Sequence, residues 1–409
     1  MSHRIYDIVV YGASGFTGRL VAEYLNTVYG ANGDLKWAMA GRSLSKLEAV
    51  RDEMGVSSDV PLLAADAGDP SSLKAMAEST KVVLTTVGPY QLYGEALLEA
   101  CVAAGTDYVD LCGEPGWMAE MIEKHDAAAK ASGARIVFSC GFDSVPFDLG
   151  VWFLQQKTVE RFGKPASRVR GRVRRMRGDW SGGTAASLLA TLEAATKNPG
   201  LRKTLADPFA LTPGFKGPRQ PASGQAEHDV AAGSWTAPFI MAPINTKNVH
   251  RTNALTSHSY GEDFVYDERM MTGDGPSGEK RAKAAAKQEK LQTTMLAMPI
   301  SRWFLKRFVL PKPGQGPDQA ARIAGMYDLL FIGETADGDS LRASVKGDMD
   351  PGYGSTSKMI SECAAALVQD VDRSETGGGI WTPGAAMGDA VITRLETRAG
   401  LTFQIEESP

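Results

Sequence analysis

At 409 residues and 43% hydrophobic, the chain is longer than one ordinary domain and apolar enough to bury real cores, so two domains are expected. Its 44 basic and 48 acidic residues leave a formal net charge of -4, with no cationic surplus to hold nucleic acid. The four cysteines, Cys101, Cys112, Cys140 and Cys363, show no close pairing, which argues against a disulfide scaffold or a zinc ribbon and for a reduced, cytoplasmic chain.

The first 150 residues alternate between strand and helix. Residues 5–11 form a short apolar strand, after which Leu20, Val21, Tyr24 and Leu25 recur at helical spacing. Residues 35–40 and 61–65 read as strands, with a helix over 44–54 between them. Residues 82–87 are β-branched and apolar enough for a strand buried on both faces. A helix over 95–104, a strand over 108–111, a helix over 117–131 closed by Gly133, and a strand over 136–139 complete the series. The class this predicts is α/β, with a doubly wound parallel Rossmann sheet over residues 1–148. Residues 1–7 are too polar for a signal peptide, and no apolar run approaches the roughly 20 residues of a membrane helix.

After Pro146 the texture changes, and residues 149–354 are expected to form a second, α+β domain for substrate or dimerisation. As a strand, residues 168–177 would place Arg168, Arg170, Arg172 and Arg174 on one face. That face either binds the phosphates of CoA or an acidic carrier protein, or is simply solvated. Residues 207–245, rich in Pro, Gly and Ala, read as loops with short elements, and His250 and His258 flank a predicted strand. A turn at 274–278 leads into a helix over 278–298, then come a Gly/Pro break at 311–317 and a strand at 343–346. Two helices, over 356–370 and 385–398, close the chain.

A strand ending at Tyr11, three glycines at three-residue intervals and an amphipathic helix form a dinucleotide fingerprint, Gly12-Ala13-Ser14-Gly15-Phe16-Thr17-Gly18. Gly12 makes the tight turn, Gly15 admits the pyrophosphate, and Gly18 lets the helix pack on the strand. The helix N-terminus presents free N–H groups to the phosphates. The second strand ends in Gly41-Arg42-Ser43, with Lys46 following, where an NAD enzyme would carry a carboxylate for the ribose. A guanidinium there suits a 2′-phosphate, so NADP(H) is the expected cofactor, with Arg42, Ser43 and Lys46 beside that phosphate. Asp66 closes the third strand, where it either borders the adenine or caps a helix.

Three segments fall at carboxyl ends of strands, the edge where open α/β sheets bind ligands. They are Gly88-Pro89-Tyr90 with Tyr93; Asp110-Leu111-Cys112-Gly113-Glu114; and Cys140-Gly141-Phe142-Asp143. Together with GASGFTG and AGRS, they resemble the saccharopine dehydrogenase-like family. The resemblance runs on through SGGT at 181–184, DPGYGSTSKM at 350–359 and GGIWTPGAAMG at 378–388, and so spans nearly the whole chain. Within that family it is similar to the trans-acting enoyl reductases. The resemblance implies reduction of a double bond on a polyketide-derived lipid, and closing helices, within residues 355–409, that return to the Rossmann domain.

Hydride chemistry belongs to the cofactor, and the protein supplies placement and a proton. Tyr90 and Tyr93 are the candidate proton donors, with ring packing as the alternative for each. Glu114 and Asp143 are candidates to orient a carboxamide or a water; a helix cap or turn carboxylate is the alternative. Gly88 and Pro89 are placed at the cofactor. The five histidines have no metal-binding spacing, so no metal is expected. Residues 299–311 mix Trp303, Phe304 and Phe308 with Arg302, Lys306 and Arg307, which suits an acyl channel or peripheral contact with a membrane, or else a core helix. The expected partner is a hydrophobic acyl or lipid substrate, free or carrier-bound, and a homodimer is expected by analogy with such folds. A saccharopine dehydrogenase-like C–N oxidoreductase, or a cofactor-binding lipid-associated protein with little turnover, are the alternatives.

Overall fold

The computed structural model describes residues 4–178, 182–298 and 316–407. Its strands are β1 (Tyr6–Tyr11), β2 (Trp37–Gly41), β3 (Leu62–Ala64), β4 (Thr80–Thr85), β5 (Asp107–Val109), β6 (Arg135–Val137), β7 (Arg168–Arg177), β8 (Glu227–Asp229), β9 (Ser234–Pro238), β10 (Val265–Gly273), β11 (Met326–Glu334), β12 (Ser340–Gly347), β13 (Gly379–Trp381) and β14 (Leu401–Glu406). Seven of them form one sheet in the order β13-β6-β5-β4-β1-β2-β3, all parallel. Parallel strands need helical crossovers, so both faces are covered, and Ile8, Val9 and Val10 are all wholly buried.

The period of two sorts these side chains into two layers. Ile8, Val10, Val82 and Leu84 face one core, Val9, Tyr11 and Val83 the other. Right-handed crossovers run outward from β1 and β4 in opposite directions. Hence the helices Phe16–Tyr29 and Leu44–Glu53 cover one half of the first face, while Pro70–Ser79, Glu95–Ala104 and Pro115–Ser132 cover the second. The rest of the first face is filled by the helix Thr356–Gln369 through Met359, Ile360, Cys363 and Leu367. Its Glu362, wholly buried, accepts hydrogen bonds from Tyr24 and Tyr29 (each 2.8 Å) and pairs with Arg394 (3.1 Å). The seventh strand, β13, carries no sequence signal of its own; three residues suffice because β6 supplies its ladder.

The second sheet is mixed, in the order β14-β12-β11-β7-β10-β9-β8. The last strand therefore leaves the Rossmann half and pairs with β12. Along β7, Val169 and Val173 point into the core on the helix Val145–Phe162, and the arginines point the other way. Arg168, Arg170, Arg172 and Arg174 are each held by a carboxylate, and Arg172 is buried. Arg172 is 3% exposed between Asp229 (2.6 Å) and Asp267 (3.0 Å), Arg170 meets Glu334 (2.9 Å), and Arg174 is shared by Asp328 (2.8 Å) and Glu406 (2.6 Å). Arg168 also pairs with Asp267.

His250 lies inside the helix Ala242–Leu255, not beside a strand as the sequence suggested. Its ring packs on Phe209 (4.6 Å), and His258 packs on Phe215 (4.2 Å). The preceding glycine- and proline-rich run conceals this helix, because it enters through Pro243 at its first turn. The aromatic and basic run at 299–311 lies outside the described residues. Among those described, no helix is long and apolar enough to cross a membrane.

Candidate active site

The strand order reverses between β1 and β4, where crevices of doubly wound sheets open. At that point lies a cavity of about 1110 Å³. Gly12 leaves β1 with φ of +87°, and a Cβ there would stand 2.7 Å from Val87. The helix Phe16–Tyr29 begins directly after Gly15 with no side-chain cap, so its first N–H groups remain for a ligand. Gly18 does not line the cavity. A Cβ on it would come within 2.2 Å of the Gly12 carbonyl, so its absence lets the helix close on the turn. These positions fit a pyrophosphate by the space they leave and the donors they present.

Ser14, Phe16, Thr17, Arg42 and Asp66 line the same end. Arg42 is exposed. Burial and the Asp66 carboxylate push the Tyr11 phenol up to about 12, while Arg42 opposes them. Asp66 accepts from the Gly68 N–H (2.9 Å), and the following helix is capped by Asp69 instead. Ser43 does not line the cavity: its hydroxyl accepts from the Lys46 N–H (3.3 Å) and caps the helix Leu44–Glu53, and Lys46 is exposed beyond it.

Gly88, Pro89, Tyr90, Tyr93 and Asp143 also line the cavity. Tyr90 shows its ring only. Its hydroxyl donates to the Thr85 carbonyl (3.3 Å) and accepts from the Leu111 N–H (3.0 Å), and burial holds its pKa well above the phenol range. Tyr93, on the same short helix Tyr90–Tyr93, is 49% exposed. Glu114 is 1% exposed and stands outside the lining. One oxygen accepts from Tyr90 N (2.9 Å) and Ser187 Oγ (2.7 Å), the other from Gln91 N (2.9 Å). It thus caps the Tyr90–Tyr93 turn and ties it to the helix Gly182–Lys197.

Asp143 sits on a loop held from below. The Ser144 hydroxyl donates to Asn245 (3.2 Å) and accepts from Asn248 (2.6 Å), and Asn245 donates to Glu268 (2.9 Å). Desolvation raises Glu268, at the foot of this network, well above the usual carboxylate range. Asp110 lies under the β5 edge, wholly buried; burial lifts it to about 7 although it accepts from Cys112 N and Ser139 N (both 2.9 Å). Cys112 and Cys140 are buried with thiols pushed up by desolvation, which leaves little thiolate for nucleophilic work.

The remaining wall comes from elements to which sequence reasoning assigned no chemistry. Leu188, Leu192, Leu205, Ile240, Met241 and Ile244 make an apolar side, with Leu111 and Phe142 from the Rossmann half. Gly352, Tyr353 and Thr356 also line the cavity, with the Tyr353 ring against Phe16 (4.7 Å). Only the quoted DPGYGST run marked that last segment, and its residue types advertise no chemistry.

Residues 8–137 match the model for the NADP-binding domain of saccharopine dehydrogenase. A Mycobacterium tuberculosis protein provisionally named a trans-acting enoyl reductase is 42% identical, over 98% of this chain and 97% of its own. A trans-acting enoyl reductase of Mycobacterium ulcerans is 37% identical over 96% of each chain. The Saccharomyces cerevisiae saccharopine dehydrogenase (L-Glu forming) superposes with a TM-score of 0.55 at 12% identity, covering 98% of this chain and 100% of that one, which is a likeness of fold. Fold, glycine loop and matched domain define an NADP(H)-dependent oxidoreductase. The chain belongs to the saccharopine dehydrogenase-like family, among relatives named trans-acting enoyl reductases.

Proposed function

We propose that this enzyme uses NADPH to reduce a carbon–carbon double bond conjugated to the carbonyl of an acyl or polyketide-derived lipid, presented as a thioester. The observation that carries this reading is the composition of the cavity wall. Arg42 is the one cationic side chain among the described lining residues, and it shares the glycine-loop end with Asp66. A substrate bearing several carboxylates would find no matching set of cations, whereas an acyl chain finds leucines and isoleucines. The names of the relatives point the same way.

In this reading Gly12, Ser14, Gly15, Phe16 and Thr17 hold the pyrophosphate, with Gly18 setting the helix behind them. Arg42 takes the 2′-phosphate, with Ser43 and Lys46 shaping its helix; Asp66 borders the adenine, and Gly88 and Pro89 border the nicotinamide. The bound cofactor supplies the hydride. Tyr93 gives the proton to the carbon next to the carbonyl, since the Tyr90 hydroxyl is already spent on backbone groups. Glu114 and Tyr90 position the turn that carries Tyr93, and Asp143 orients the carbonyl or a water.

NADPH oxidation followed by absorbance tests the reading against medium and long enoyl thioesters and, separately, an amino acid with a 2-oxo acid. Turnover on the thioesters alone is expected; turnover on the amino-acid pair alone would replace this reading with C–N chemistry. Tyr93→Phe should lower kcat by about 100-fold, the low end for a lost general acid. Wild-type kcat in that variant would remove Tyr93 as the donor.

A further inference from the structure

The two halves of the cavity wall meet at one turn, residues 350–356. Asp350, 1% exposed, accepts from Tyr353 N and Gly354 N (both 2.9 Å) and so fixes the turn from within. Its backbone is wedged from outside as well: a Cβ on Gly325 would stand 2.3 Å from the Asp350 Cα, and one on Gly178 would stand 2.6 Å from Pro351. Two side chains leave this rigid base in different directions. The Tyr353 ring, 3% exposed, meets Phe16 of the glycine loop edge-on at 4.7 Å. The Thr356 hydroxyl donates to the Pro351 carbonyl (2.8 Å) and accepts from the Phe142 N–H (3.0 Å), one residue before Asp143.

We propose that this turn is a positioning clamp, in which Tyr353 seats Phe16 against bound NADP(H) and Thr356 sets the Phe142–Asp143 edge on the substrate side. Gly316 also lies against Phe16, since a Cβ on it would come within 2.3 Å of the ring. Removing the Tyr353 ring frees Phe16, the first residue of the phosphate-binding helix, and the effect falls on cofactor affinity. Removing the Thr356 hydroxyl leaves the cofactor side intact but strips the buried Phe142 N–H of its acceptor, and the effect falls on turnover. The proposal rests on the NADP(H) assignment and not on the choice of substrate.

The test is titration of the full chain with NADPH, read by nicotinamide fluorescence, together with kcat and KM. Tyr353→Ala should raise the NADPH Kd by at least about fivefold, with Tyr353→Phe within about twofold of wild type because the ring remains. Thr356→Val should leave the NADPH Kd unchanged and lower kcat about tenfold on whichever enoyl thioester the wild type reduces, and Thr356→Ser should restore it. A wild-type Kd in Tyr353→Ala, or a Kd in Tyr353→Phe raised as much as in Tyr353→Ala, would overturn the clamp. So would equal loss of affinity and turnover in Thr356→Val. If Tyr353→Ala does not fold, Tyr353→Leu puts the same question. A wild type silent on every enoyl thioester would sink the substrate reading, while the Tyr353 titrations would still decide the clamp.

Discussion

Arg42 and His250 show how differently two basic side chains behave at the residue scale. Arg42 is exposed at the cavity rim, where a guanidinium can meet a phosphate with two hydrogen bonds. Arg42→Ala should cost NADPH about tenfold in affinity or more, the scale of one charged hydrogen bond, and leave NADH nearly unaffected. Equal loss for both cofactors, measured by competitive titration, would place the 2′-phosphate elsewhere. His250 is 3% exposed among Phe209 and Phe264, one helical turn from Lys247. Burial, then Lys247, lower it from 6.5 to about 3. Between those values the unfolded chain binds a proton that the folded chain refuses, so acid favours unfolding. The contribution of neutral His250 to stability is complete above about pH 6.5 and drains away as pH falls toward 3. His250→Phe should therefore lose less Tm between pH 7 and pH 5 than the wild type, and parallel melting profiles would rule the effect out.

At the scale of elements, the helix Gly182–Lys197 adds an apolar side to the cavity at the glycine loop. Leu188, Thr191 and Leu192 face the cavity, and the helix is held to the Rossmann half by Ser187 on Glu114 (2.7 Å) and Gln91 on Thr191 (3.3 Å). Leu188 and Leu192 thereby set the shape of this side of the cavity. Leu188→Trp should shorten the acyl chain accepted: kcat/KM for a long enoyl thioester falls, while that for a short one is largely kept. A uniform fall across chain lengths would show that Leu188 does not line the acyl path. The same scale explains the second sheet's arginines. A strand carrying four like charges on one face is tolerable at the centre of a sheet because β10, β11 and the β8–β9 hairpin bring carboxylates to each.

Across the whole molecule, the chain closes on itself. The helix Thr356–Gln369 completes the Rossmann core, and β14 then completes the second sheet, so the C-terminal residues bind the two sheets into one body. Glu362 is the polar pin of that closure, wholly buried against Tyr24, Tyr29 and Arg394. Glu362→Ala would leave a buried guanidinium partly uncompensated and should destabilise the fold by about 3 to 5 kcal/mol, read as a lowered urea midpoint. A midpoint within error of the wild type would show that apolar packing of the helix suffices.

Local pattern by itself determined the Rossmann half and its cofactor loop. Period-two apolar strands, period-3.6 helices and three glycines are short-range signals, and each glycine's reason is written in its neighbours. The position of Arg42 was equally readable, because it depends on one strand end. Whether a polar side chain is spent or free depends instead on what the fold brings beside it. Tyr90 and Glu114 share a strand edge with Tyr93 in sequence, yet only the packed structure shows their polar atoms consumed by backbone N–H groups, a carbonyl and Ser187. The arginine strand and His250 were open for the same reason, since their partners lie dozens of residues away. The apolar wall of the cavity and the Tyr353 turn were decided by tertiary structure alone: a leucine or a glycine comes to line a cavity only when long-range packing sets it there.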